Sequence, residues 1–166
     1  SPNLALALKG SVNLDTVIEP IVKGGYYHAG QVCVSIQRIF VHQDIIGGFV
    51  ERLTARVGLL RVGDPMLRAT DVGPLIDPRE TKRVASWIDE ATSRGARLVG
   101  GGRYSETTLM PAVLVEPPAD AKVSQLEIFG PVTCVETFGD EDLESIARRA
   151  NDTIYGLVAS VWTRDL

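Results

Sequence analysis

The sequence predicts an α/β domain built on a largely parallel sheet. Three observations predict it. Short apolar runs of strand length alternate along the chain with stretches of helical periodicity. The strand runs are apolar at successive positions, as strands covered on both faces require. The composition is that of a folded chain: 166 residues, 45% hydrophobic and 23% charged. That length fits one domain with a sizeable core. Strand order cannot be read from these patterns.

Taken in order, Leu4 to Leu8 reads as a short buried strand closed by Gly10. Asp15 opens a helix reaching about Tyr27, with Pro20 expected to remove one backbone bond and bend it and Gly24-Gly25 to weaken it. Ser35 to His42 is β-branched and aromatic and reads as a strand. Ile45, Phe49, Leu53 and Val57 recur every four residues and predict a helix over 44–60, with Gly47-Gly48 its weak spot. Gly63, Pro65, Gly73 and Pro74 predict an exposed loop from Arg61 to Ile76. Asp77-Pro78-Arg79-Glu80 is a helix start: Asp77 caps, Pro78 suits the first turn, and Glu80 completes a capping-box-like pair. Val84, Trp87, Ile88 and Ala91 line its apolar face, and Gly95 stops it. Ala96 to Val99, Ala112 to Val115 and Pro131 to Phe138 read as strands. Asp140 is expected to cap a last helix with Leu143, Ile146, Ala147 and Ala150 on one stripe, before a final strand over 157–162.

Composition excludes several function classes. A net charge of −4 argues against a nucleic-acid binder, which needs a basic stripe. No apolar run approaches the ~20 residues of a spanning helix, so no membrane partner is expected. The first ten residues have an apolar block but no basic start or clear cleavage site. Two cysteines cannot make a disulfide scaffold, and a reducing, cytoplasmic setting is expected. The sequence begins at Ser1 rather than Met and stops just after a strand-like run, so it is read as a piece of a longer chain, cut at both ends.

Few residues are candidates for chemistry. Cys33 follows Ala29-Gly30-Gln31-Val32 at a helix-to-strand junction, which can expose a side chain and backbone N–H groups together. A helix N-terminus or a cation nearby would raise its thiolate fraction. Local sequence alone favours a buried structural cysteine, since free Cys is among the most buried residue types. His28 and His42 read as ordinary surface or loop histidines, and neither spacing marks a Cys-His pair. No Cys/His cluster has zinc spacing, and no metal site is predicted. Glu127-Ile128-Phe129-Gly130-Pro131 sets an acid and an aromatic before a Gly-Pro turn and a strand. The carboxylate can accept two ribose hydroxyls and the aromatic can pack on a flat ring. A capped turn with a core Phe explains the same residues equally well. Cys134, within a strand run, reads as core. Gly100-Gly101-Gly102 lacks the Lys-Ser/Thr of a phosphate loop and reads as a turn. In an α/β sheet of this kind, ligands are expected at the carboxyl ends of the strands.

In order along the chain, these segments resemble the catalytic domain of the NAD(P)-dependent aldehyde dehydrogenase superfamily. Ser1-Pro2-Asn3 resembles the tail of a family motif, and Gly30-Gln31-Val32-Cys33 with Arg38 resembles its cysteine segment. Gly63-Asp64-Pro65 and Gly73-Pro74-Leu75-Ile76 resemble middle landmarks. Glu127-Ile128-Phe129-Gly130-Pro131-Val132 resembles the cofactor-contact motif, and Asn151 with Tyr155-Gly156-Leu157 the last one. Pro20 and His28 depart from the commonest family residues.

The resemblance implies a three-layer αβα sandwich with a largely parallel sheet. It implies Cys33 as the nucleophile, passing through a thiohemiacetal and a thioester, with its backbone N–H in the oxyanion hole. It implies that Glu127 holds the nicotinamide ribose and that Phe129 packs beside it. The cofactor is then NAD or NADP, held mainly by a domain outside residues 1–166, and the family's general base precedes Ser1. The partner is a small-molecule aldehyde, the wording around Cys33 resembling branches that act on small or functionalised ones. The parent is expected to be a homodimer or homotetramer, and the isolated fragment to be inactive. Two other readings use the same residues: an NAD-independent thiol esterase or acyl transferase, and an inactive folded module.

Overall fold

A computed structural model describes residues 4–8, 12–103, 105–140 and 142–163. Ser1, Pro2, Asn3, Gly10 and the last three residues lie outside the described residues. The principal sheet has six strands: β1 (Leu4–Leu8), β2 (Arg38–His42), β3 (Arg97–Val99), β6 (Ala112–Val115), β7 (Val132–Phe138) and β8 (Val158–Trp162). Their order is β3-β6-β7-β2-β1-β8. Every pairing is parallel except β3 with β6. The short strands β4 (Gly102–Arg103) and β5 (Leu109–Met110) form a separate antiparallel ribbon. The predicted class therefore holds, with one antiparallel edge strand.

Helices cover both faces. Helix α1 (Leu14–Tyr26) and helix α2 (Ile46–Val57) lie side by side. Arg52 pairs with Asp15 at 3.2 Å and Arg56 with Glu19 at 2.6 Å between them. Ile39 and Val41 of β2 join their buried residues in the main core. Phe40 points the other way, as strand alternation requires, and packs with Phe138 and with Ile146 of α5 (Leu143–Ala150). Helix α3 (Pro78–Ser93) is tied to the short α4 (Lys122–Gln125) by Glu90, which accepts from the Lys122 N–H, and by the Arg94–Asp120 pair. Among the described residues no helix is long and apolar enough to cross a membrane.

Local chemistry decides most element ends. Asp77 accepts from the Arg79 and Glu80 N–H groups as the N-cap of α3. At the other end Gly95, at φ +109°, lets its own N–H reach the Thr92 carbonyl and the Ala96 N–H reach that of Ala91. That pair of bonds is a Schellman motif.

Several expectations are corrected. The cap of α1 is Asn13, which accepts from the Asp15 N–H. Glu80 does not close a capping box; its carboxylate goes to Arg83. The cap of α5 is Asp142, while Asp140 turns to His42. Ala147 is exposed, whereas Ile146 and the partly buried Ala150 pack with Phe40 and Phe138. The 61–76 loop is not wholly exposed: Val72 and Leu75 are buried, and Val62 bridges to Val72. Residues 35–37 precede β2 rather than extending it: the Ser35 N–H goes to the Val32 carbonyl and the Ile36 N–H to that of Gly24.

Candidate active site

Cys33 is presented by a strained approach. Helix α1 ends at Tyr26, and His28, Ala29 and Gly30 then take left-handed conformations in succession, at φ +50°, +55° and +71°. Two of the three are not glycine, and such residues persist there only when their surroundings over-determine them. The chain next makes a turn closed by the Ser35 N–H on the Val32 carbonyl at 3.0 Å. Cys33 sits at its tip and is exposed. The expectation of a buried structural cysteine from local sequence is thus corrected: the turn lifts Cys33 out of the core that Ser35 and Ile36 enter.

The turn is anchored on three sides. The Ser35 hydroxyl donates to the Gly25 carbonyl and the Ile36 N–H to that of Gly24. Thr133 of β7 donates to the Ile36 carbonyl. The glycine pair that seemed to weaken α1 makes this approach possible, since a Cβ on Gly24 would lie 2.7 Å from the Ile36 side chain. On the third side, Gln31 donates to the Pro74 carbonyl at 3.2 Å and accepts from the Ile76 N–H at 2.9 Å. The cysteine loop and the Gly73–Ile76 loop are therefore fixed to each other.

The Glu127–Pro131 segment arrives from the opposite direction and meets this turn. A Cβ on Gly30 would stand 2.0 Å from the Gly130 carbonyl oxygen, so the two backbones touch. Between Glu127 and Phe129, Ile128 is buried as an anchor. Arg83 of α3, stacked over Trp87, donates to its carbonyl at 2.7 Å. Glu127 is half-buried. Phe129, at φ +50°, turns its ring outward and leaves it 41% exposed. Glu127 and Phe129 share a narrow crevice with Gly30 and Val32, and Phe129 also borders an open hollow of about 700 Å³ with His28, Gln31 and Pro74. Phe129 is therefore not the core Phe of a capped turn.

These loops lead into β2 and β7, so the candidate residues gather at the amino ends of two neighbouring parallel strands rather than at the expected carboxyl ends. At the carboxyl ends stand His42 and Phe138, edge to face. His42 is buried, with Asp44 and Asp140 each 3.3 Å from a ring nitrogen; it is not a surface histidine. His28 is exposed in the cysteine loop. Cys134 is fully buried in β7, and burial pushes its thiol far above the usual range, with the Glu136 carboxylate adding to the effect. Among the described residues no group of three His, Cys, Asp or Glu side chains could hold a metal ion.

The residues present fit the nicotinamide end of a dinucleotide. A half-buried carboxylate can take a diol, and an exposed ring can lie against a flat heterocycle, and both border Val32 of the turn that carries Cys33. Sequence reading passed over Gln37, whose side chain joins the two halves of this site. No local signal could have found it, because its partners lie some ninety residues away.

Comparisons with known proteins show the family and the fold. The model of the aldehyde dehydrogenase family matches residues 3–166. The chain is 35% identical over 164 residues to 3-sulfolactaldehyde dehydrogenase of Priestia megaterium, covering 99% of this chain and 34% of that protein. The glyceraldehyde-3-phosphate dehydrogenase of Methanocaldococcus jannaschii, solved with NADP, superposes with a TM-score of 0.92 at 30% identity over 100% of this chain and 35% of that one. A Mycobacterium tuberculosis aldehyde dehydrogenase solved with NAD+ gives a TM-score of 0.91 at 34% identity, covering 99% of this chain and 35% of that one. The chain spans about a third of the length of the relatives it matches.

Proposed function

This chain belongs to the aldehyde dehydrogenase family, and on that premise we propose that the whole protein oxidises an aldehyde to a carboxylic acid with NAD+ or NADP+, using Cys33 as its nucleophile. The observation that carries the proposal is the contact of Gly30 with Gly130, which sets the Cys33 turn against the segment bearing Glu127 and Phe129.

In this reading the Cys33 thiolate attacks the aldehyde carbon, forming a carbon–sulfur bond and leaving charge on the oxygen. The Cys33 backbone N–H helps to hold that oxygen. Glu127 would accept from the nicotinamide ribose hydroxyls, and Phe129 would pack beside the ring. Oxidation of the thiohemiacetal to a thioester needs a hydride acceptor, which NAD(P)+ would supply when bound there. Water then cleaves the thioester, which releases the acid and restores the thiol. The base that activates this water, and most of the dinucleotide site, are assigned to parts of the whole protein beyond this chain.

The name of the Priestia relative supports testing small functionalised aldehydes first. The same reading gives a cytoplasmic homodimer or homotetramer. In the whole protein, Cys33→Ser is expected to abolish aldehyde-dependent NAD(P)H formation, and Glu127→Gln to raise the KM for the cofactor. Aldehyde oxidation surviving Cys33→Ser, or thioester hydrolysis with no dependence on NAD(P)+, would overturn the proposal.

A further inference from the structure

We infer that Gln37 is a positioning residue that sets the cofactor-facing segment against the cysteine turn. The inference rests on the reading of Glu127 and Phe129 as cofactor contacts. Gln37 lies four residues past Cys33, at the entrance to β2. Its own carbonyl accepts from the Cys134 N–H at 2.7 Å, which locks its backbone to β7.

Its side chain is buried, and a buried amide is tolerated only when its polar atoms are matched. Here the match is full. The NH2 group donates to the Val123 carbonyl at 3.0 Å and the Leu126 carbonyl at 2.8 Å, and Oε1 accepts from the Ile128 N–H at 2.9 Å. Two carbonyls and one N–H leave a single orientation for the amide. Ile128 is thereby held at three points. Gln37 takes its N–H, Arg83 takes its carbonyl, and the core takes its side chain.

The consequence falls on its neighbours. With Ile128 fixed, Glu127 and Phe129 leave the backbone in set directions. Because Gln37 and Cys33 share one short segment, the thiol and the carboxylate are referred to the same frame. Fixing reacting groups relative to one another is where an active site gains most from its supporting residues.

The test uses the whole protein with two substitutions. Gln37→Met keeps the length and removes every hydrogen bond of the amide. Gln37→Glu keeps the acceptor for Ile128 and removes the donors to Val123 and Leu126. Hydrogen exchange across 126–130, alkylation of Cys33, and the separate values of kcat and KM are measured. In Gln37→Met, exchange at Ile128 is expected to rise about tenfold or more. The KM for NAD(P)+ should rise about tenfold with a smaller change in kcat. Cys33 alkylation should stay within about twofold, because its turn has its own anchors. Gln37→Glu should protect the Ile128 amide better than Gln37→Met does, and it carries the test if the Met variant does not fold.

Unchanged exchange in both variants would overturn the positioning role. Faster exchange with an unchanged cofactor KM would overturn the inference through the reading beneath it; Glu127→Gln would then leave that KM unchanged as well. If Glu127→Gln raises the KM and Gln37→Met does not, the cofactor reading stands and only Gln37's part in it fails.

Discussion

Gly30 and Gly130 meet backbone to backbone, with no room between them for a methyl group: a Cβ on Gly30 would lie 2.0 Å from the Gly130 carbonyl oxygen. One glycine precedes the exposed thiol and the other follows the exposed aromatic. Their contact makes two segments a hundred residues apart into one site. Gly30 also sits at φ +71°, where an L side chain is strained even in open space.

Gly30→Ala is therefore expected to destabilise the protein by more than about 2 kcal/mol, because clash and backbone strain add. The control is Gly47→Ala in the first turn of α2, where a Cβ meets nothing within 4 Å. That change should stabilise by about 0.5 kcal/mol through helix propensity. Urea titration of both variants checks the sign and the size. Equal, small effects at the two sites would refute the close contact.

The two cysteines should separate cleanly. Cys33 is exposed, whereas Cys134 is fully buried with its thiol pushed up by desolvation. Iodoacetamide at pH 8 is expected to label Cys33 alone in the folded protein and both thiols in denaturant, as peptide mass spectrometry would show. Native labelling at Cys134 would mean that β7 opens readily.

Arg38 and Glu136 form a pair between β2 and β7 with side chains only 5% and 8% exposed, at 2.9 Å. Arg149 of α5 approaches the same carboxylate at 3.8 Å, and both guanidinium groups lie over Phe40. Glu136→Leu should cost about 3 kcal/mol or more, because it leaves a buried cation unmatched. Combining it with Arg38→Met should cost less than the sum of the two single changes. A double-mutant cycle measures the difference, and strict additivity would show that the pair is not coupled.

Asp77 provides the pH test. The Arg79 side chain, followed by the Glu80 N–H, holds its carboxyl below the ordinary value of 3.8. A pKa lowered by folding contributes stability above the unfolded value, and that contribution disappears as pH falls through the folded value. Asp77→Ala should lower Tm by about 3 °C at pH 7. The gap to wild type should narrow as pH falls below 3.8, where the carboxylate loses its charge. Asp77→Asn, which keeps a capping oxygen, should lose less at pH 7. A gap of the same size at low pH as at pH 7 would assign the effect to something other than the charge of the carboxylate.

Helix ends that depend on a few adjacent residues were legible in the sequence. Asp77 and Gly95 bound α3 by bonds that span no more than five positions, so no distant partner could alter them. Asp140 and Asp142 were not separable in this way. Both are carboxylates just before α5, and the choice between them was made by His42, which reaches Asp140 across 98 positions and leaves Asp142 to the Ser145 N–H. The placement of Ala147 was hidden for a related reason: the face of α5 that is buried is decided by where Phe40 and Phe138 stand.

The site divides along the same line. The sequence by itself determined the alternation of strands and helices, the apolar periodicity that covers the sheet, and the order of the motifs around Cys33 and Glu127. Tertiary structure alone decided that Cys33 is lifted clear of the core, that Phe129 faces outward, that both lie at the amino ends of β2 and β7, and that Gln37 grips the backbone on either side of Glu127. Propensity and capping act over one or two turns of chain, and the sequence displays those neighbours directly. Burial and long-range hydrogen bonding depend on which strands become adjacent, and adjacency arises only when the sheet assembles.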